Sequence, residues 1–202
     1  MITVGITGKM GSGKTTLSKT FRDWGYPCIF ADQIGHSLLD EPPIREQLKT
    51  SFGESIFAPD GTIDRNRLGA RVFSDSNQRL LLNSILHPIM VERILQLRHA
   101  YEQSRASLLF VEAAIIKEMG LIPYMDHILV VEAAEAIRIN RGTKYRGLTE
   151  SEISARDRVQ NHDLGDLSIP VTVLENDGNL PSLIHKARAF LSTIGIDPLS
   201  KR

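Results

Sequence analysis

The chain has 202 residues, enough for one compact α/β domain with an insertion and a sizeable core. Lysine plus arginine number 24, as do aspartate plus glutamate, so the net charge is zero. That balance excludes the global basic field of a nucleic-acid or membrane-surface binder and leaves only local clusters to hold anions. The single cysteine, Cys28, excludes an intramolecular disulfide. It lies in the apolar run Tyr26-Pro27-Cys28-Ile29-Phe30, where a buried structural thiol is expected. No basic stretch leads into a signal-type apolar segment, and no apolar run is read as approaching the ~20 residues that span a bilayer. A soluble cytoplasmic protein is therefore expected, with no membrane and no nucleic-acid partner.

The first strand is expected at Ile2 to Thr7. It runs directly into Gly8-Lys9-Met10-Gly11-Ser12-Gly13-Lys14-Thr15, which fits G-x-x-x-x-G-K-[ST]. A helix is expected from about Lys14, with Leu17 and Phe21 on one face. In this strand–loop–helix context the glycines let backbone N–H groups turn inward onto phosphate oxygens. Gly11, Ser12, Gly13, Lys14, Thr15 and Thr16 are the expected nucleotide contacts. Lys14 is expected to reach the β- and γ-phosphates of ATP, and Thr15 to ligate Mg²⁺. The alternative, a chance glycine-rich turn, leaves the flanking strand and helix unexplained.

The second strand is expected at Tyr26 to Phe30, followed by Asp32. Strand C-termini of a parallel sheet share one edge, where ligands bind. There Asp32 is either a general base for an attacking hydroxyl or the N-cap of a helix starting at Gln33. The long stretch before the third strand contains Glu41-Pro42-Pro43, the Asp60-Gly61 turn and helical spacings. Leu80, Leu81 and Ile85 are read as one helix, and Ile89, Ile94 and Leu97 as a second, with Pro88 in the second helix's first turn.

Leu108 to Glu112 is the expected third strand. Its Glu112 either holds Mg²⁺ or caps a helix at Ala113, and Glu118 either orients substrate or is a solvated charge. His127 to Glu132 is the fourth strand. The basic segment that follows carries Arg138 and Arg141 close to one helical turn apart and is interrupted by Gly142 and Gly147. The two arginines either stabilise transition-state charge or lie on a solvated face. Thr149-Glu150-Ser151-Glu152 has the form of a capping box opening a helix to about His162. On that helix, Arg156 and Gln160 share a face. Val171 to Glu175 is the fifth strand. Asn176-Asp177-Gly178 then either contacts adenine or is a plain turn, and a last helix follows Asn179 with Pro181 in its first turn.

These elements predict an α/β fold: a five-stranded parallel sheet flanked by helices, with strands covered on both faces, plus a helical insertion and a helical lid. Residues 1–32, 105–133 and 163–202 are assigned to a nucleotide-binding core, 33–104 to a helical substrate-binding region and 134–162 to the lid. No N-K-x-D guanine-reading segment occurs. A small-metabolite kinase, a nucleoside monophosphate kinase and a nucleotide-driven switch remain open at this point.

The ordered set resembles the dephospho-coenzyme A kinases over nearly the whole chain. The similarity is carried by the 8–15 loop, Ala31-Asp32 with Ile34, and Phe52-Gly53. It continues through Asp60-Gly61-Thr62-Ile63-Asp64-Arg65 and Leu82-Asn83-Ser84-Ile85-Leu86-His87-Pro88. Arg138 with Arg141, Arg156 with Gln160, and Asn176-Asp177-Gly178 complete it. The resemblance implies a P-loop kinase that phosphorylates the ribose 3′-hydroxyl of dephospho-coenzyme A with ATP and Mg²⁺. Asp32, Lys14, Arg138 and Arg141 would be catalytic. Asn176 and Gly178 would join the P-loop in nucleotide binding, and Thr15 and Glu112 would hold the metal. Arg65 and His87 are implied candidates for contact with the pantetheine arm. The chain departs from the family pattern at Phe30, where an acid is usual, at Glu112 and Lys117 in the third-strand segment, and at Pro170-Val171.

Overall fold

The computed structural model describes residues 1–159 and 164–197. Two compact units emerge: Met1–Ile29 with Arg98–Arg202, and Phe30–Leu97.

The larger unit is built on the sheet. β1 (Ile2–Thr7), β2 (Cys28–Phe30), β3 (Leu108–Glu112), β4 (His127–Glu132) and β5 (Val171–Glu175) form a five-stranded parallel sheet in the order β2-β3-β1-β4-β5. The register sets Ile6 opposite Glu112 on β3 and opposite Leu129 on β4. β1 and β3 are buried along nearly their whole length, as apolar central strands must be. α1 (Lys14–Asp23) and α8 (Leu180–Thr193) pack over a core of Val4, Ile6, Leu17, Phe110, Leu129 and Phe190. Phe21 of α1 stacks on Phe110 of β3 with ring centroids 4.0 Å apart and planes 5° from parallel. Truncating either ring to alanine is expected to cost roughly 3–5 kcal/mol.

Two strand expectations need correction. β2 begins at Cys28, not Tyr26, because Pro27 has no N–H for the ladder and contributes only its carbonyl, which accepts from the Phe110 N–H at 2.9 Å. β5 is not covered on both faces. It is an edge strand, and Val171 and Val173 are 44 % and 53 % exposed.

Cys28 is half-buried, and its thiol donates to the Ser18 carbonyl at 3.2 Å. Burial, opposed by the nearby Arg22 charge, pushes its pKa up to about 12. Only the thiolate reacts with alkylating agents, so at pH 8 the folded protein is expected to be modified by iodoacetamide at least ~100-fold more slowly than the unfolded chain. Mass spectrometry of timed aliquots checks this; equal rates would contradict a buried structural thiol.

The smaller unit is helical: α2 (Ala31–Leu38), α3 (Pro42–Phe52), α4 (Arg65–Ser74) and most of α5 (Ser76–Gln103). Pro42 and Pro43 open α3, where the missing N–H costs nothing. The Asp60–Arg65 signature has local structural work. Asp60 accepts from the backbone N–H of Thr62 at 3.0 Å and closes the turn. Ile63 is buried, and Asp64 caps α4 by accepting from the N–H groups of Asn66 and Arg67.

The two helices expected around Pro88 are one continuous helix, α5. The proline leaves one backbone bond unmade, but Ile85 and Leu86 before it and Met90 and Ile94 after it are all buried, and that shared burial keeps the helix running. α5 also corrects the reading of apolar length. By length and composition alone it could cross a membrane, with a mean hydropathy of 1.2 over 18 residues. Within its unit, Arg93 of the same helix pairs with Glu41 at 3.2 Å.

The two glycines of the basic segment behave differently. α6 (Glu135–Arg146) runs straight through Gly142 and stops at Gly147, whose left-handed φ of 63° terminates the helix. Gly142 is a packing position, not a hinge: a Cβ there would lie 2.5 Å from Cδ1 of Ile153 on α7 (Glu150–Val159). The capping box forms, with the Thr149 N–H donating to Glu152 at 2.7 Å and the Glu152 N–H to Thr149 at 3.3 Å. The expected helix end at His162 lies outside the described residues.

Candidate active site

The loop between β1 and α1 has the backbone of a phosphate cradle. Gly13 is the N-cap of α1 with φ 102°, so the first N–H groups of the helix face the loop. A side chain there would also collide with the amide of Asn176, and at Gly11 a Cβ would sit 2.6 Å from the Arg138 carbonyl. Both glycines are thus required by close approach as well as by backbone angle. Ser12 is fully buried within the loop. These features fit a bound triphosphate.

Lys14 bends over the loop, its ammonium donating to the carbonyls of Gly8 at 2.6 Å and Lys9 at 3.1 Å. Thr15, on the next position of α1, donates its hydroxyl to Oε1 of Glu112 at 2.7 Å. Ala113 does not start a helix; its N–H donates to the Ile6 carbonyl, so Glu112 has no capping role. Thr15 and Glu112 are hard oxygen donors held together, and they fit a cation that takes few protein ligands and draws the rest from phosphate and water. Among the described residues there is no cluster of three or more His, Cys, Asp or Glu to hold a metal by protein ligands alone.

Both α6 arginines reach this loop, Arg138 from a buried position and Arg141 from a partly exposed one. Arg138 is buried, and its guanidinium pairs with Asp157 of α7 while donating to the carbonyls of Ala133 at 3.2 Å and Met10 at 3.4 Å. Arg141 donates to the Gly11 carbonyl at 3.4 Å and to the Gly178 carbonyl at 3.2 Å. It thereby ties the P-loop to the segment after β5. From that segment the Asn176 side chain donates to the Ser12 carbonyl at 2.7 Å, so its amide supports the loop's shape. Asp177 accepts from the Ala134 N–H at 2.7 Å, and Asn179 caps α8.

A cleft of about 510 Å³ opens beside the loop, lined by Gly11, Gly13, Lys14, Thr15 and Thr16 on one part and by Arg141, Asn176 and Gly178 on another. The expected nucleotide contacts therefore converge, Ser12 through its carbonyl. Asp157 was not legible as a site residue. Its only sequence signal is an acid immediately after Arg156.

Asp32 belongs to the other unit and lies exposed in the first turn of α2. It is not an N-cap, because the helix starts two residues earlier than expected and Phe30 holds the cap position. Its carboxylate suits the positive end of the helix dipole. Glu118 is exposed in a turn. Arg156 points a nitrogen at the Met10 sulfur 4.0 Å away, and Gln160 lies outside the described residues. Within the helical unit, Arg65 donates to the His36 carbonyl and to Asp40. His87 is held below the usual histidine range by burial, so its imidazole is neutral at pH 7.

Comparisons with known proteins bear on this arrangement. The family model described as dephospho-CoA kinase matches residues 2–182. A dephospho-CoA kinase of Corynebacterium glutamicum is 32 % identical over 195 residues, covering 96 % of this chain and 98 % of the relative. The crystal structure of TT1252 from Thermus thermophilus superposes with a TM-score of 0.76 at 33 % identity, covering 96 % of this chain and 97 % of that one. The dephospho-CoA kinase from Campylobacter jejuni shares the fold, with a TM-score of 0.65 at 19 % identity, covering 95 % of this chain and 96 % of that one. With the phosphate cradle already in place, the match across residues 2–182 makes this chain a member of the dephospho-CoA kinase family.

Proposed function

We propose that the protein transfers the γ-phosphoryl group of ATP to the ribose 3′-hydroxyl of dephospho-coenzyme A, giving ADP and coenzyme A, the last step of coenzyme A biosynthesis. The observation that carries the donor half is the Thr15–Glu112 contact at the glycine cradle, which joins residues 97 apart in sequence. The acceptor half is supported by the family match, which runs through the 60–65 and 82–88 segments.

Phosphoryl transfer needs positioning and charge stabilisation more than covalent chemistry. The N–H groups of the loop and of the α1 N-terminus bind the phosphates. Lys14 exchanges the Gly8 and Lys9 carbonyls for β- and γ-phosphate oxygens. Thr15 and Glu112 would hold Mg²⁺, which when bound would supply neutralisation of phosphate charge. Arg141 stands at the cleft and takes part of the transition-state charge. Arg138, paired with Asp157, acts by holding the Met10 carbonyl and the loop in place. Asp32 accepts the proton of the attacking hydroxyl. Residues 33–104 hold the acceptor, and residues 134–162 exclude water from the phosphates. The reaction is assigned to the cytoplasm.

A coupled assay of ADP release tests this reading. Release is expected to depend on dephospho-coenzyme A and to be absent with nucleoside monophosphates. Release driven by a nucleoside monophosphate, or by a protein partner alone, would overturn the acceptor.

A further inference from the structure

We infer that Tyr145 is the stacking platform for the nucleobase of the donor nucleotide. This rests on the P-loop as a nucleotide site and is independent of the acceptor. Tyr145 is 72 % exposed, more than any other large apolar side chain among the described residues. An aromatic ring left in water carries a hydrophobic cost that a ligand's flat apolar face removes.

Its position says which ligand. Tyr145 lines the same cleft of about 510 Å³ as Gly11, Gly13, Lys14 and Thr15, so the ring belongs to the cavity that the phosphate loop opens into. Leu180, itself 52 % exposed, lines that cleft from the start of α8. A molecule with phosphates at one end and a planar apolar group at the other satisfies both parts of the cleft, and a nucleoside triphosphate is such a molecule.

The ring is also carried by a fixed element. Arg141 lies four residues earlier on α6, on the same face, and is tied to the carbonyls of Gly11 and Gly178. Gly142, between them, is packed against Ile153 of α7. One face of the ring holds the Lys144 ammonium, 5.3 Å from the centroid, and such a ring stacks a base on its other face. Asn176 and Asn179, which line the cleft, already spend their side chains on the Ser12 carbonyl and the α8 cap.

Calorimetry without acceptor tests the inference, using Mg·ATP and inorganic tripolyphosphate as separate ligands. Tyr145→Ala is expected to weaken ATP binding about 5- to 150-fold and leave tripolyphosphate binding unchanged, with Tyr145→Phe within about threefold of the parent for ATP. Unchanged ATP affinity in Tyr145→Ala would overturn it, as would equal losses for both ligands, which would mean the substitution merely disturbs the loop. Failure of the acceptor reading shows separately, as a tyrosine-dependent ATP site that transfers nothing to dephospho-coenzyme A.

Discussion

Replacing Lys14 with alanine is expected to lower kcat by about 10²–10³-fold and to weaken ATP binding by about tenfold or more. The physical reason lies in what the ammonium touches. In the protein alone it donates to two carbonyls of its own loop, at 2.6 and 3.1 Å. Those are neutral acceptors; phosphate oxygens are charged, and a charge-assisted hydrogen bond is about twice as strong. The ammonium therefore gains on moving to the triphosphate, and gains most where charge spreads over the γ-phosphoryl group. Arginine at this position is not an equivalent replacement, because its planar fork is larger and cannot sit as a point charge among the loop carbonyls. Titration with ATP and steady-state kinetics check the two effects. A variant with unchanged binding and turnover would remove the loop from the reaction.

Asp32→Asn is expected to keep ATP affinity and to lose roughly 10²–10⁴-fold in kcat, the usual contribution of a positioned general base. That range corresponds to about 2.7–5.4 kcal/mol of barrier. The substitution preserves shape and removes only the ability to accept a proton. Phe30 holds the α2 cap position and Asp32 makes no cap hydrogen bond, so the helix does not depend on the carboxylate as a cap. A first-turn charge contributes about 0.3–1 kcal/mol, too little to unfold the domain. The measurement is kcat for coenzyme A formation beside nucleotide titration. Near-normal turnover would take Asp32 out of the mechanism, whereas loss of ATP binding would mean the aspartate shapes the nucleotide site instead.

The arginines alter how the segment after β4 is understood. A basic stretch with two glycines reads as a loosely hinged cover, yet Gly142 is buried in a helix–helix contact and Arg138 is paired with a carboxylate from the next helix. Breaking a buried pair by removing one partner leaves an uncompensated charge, typically at a cost of about 3–5 kcal/mol. Arg138 is therefore as much a structural residue as a functional one. Its partner Asp157 carries equal weight in holding the loop.

What the sequence determined by itself is the part written in neighbouring residues. The P-loop, the Thr149 capping box, the Asn179 cap and four of the five strands at their observed bounds are all local. Each depends on hydrogen bonds or burial patterns that span only a few positions. Tertiary structure decided everything that depends on which distant group arrives. Strand order makes β5 an edge and exposes its valines, and burial on both sides of Pro88 carries one helix through it. Packing of α6 onto α7 selects Asp157 as the partner of Arg138 and turns Arg141 onto the Gly178 carbonyl. Those choices are made by contacts 19 to 37 residues apart, and no local periodicity encodes them.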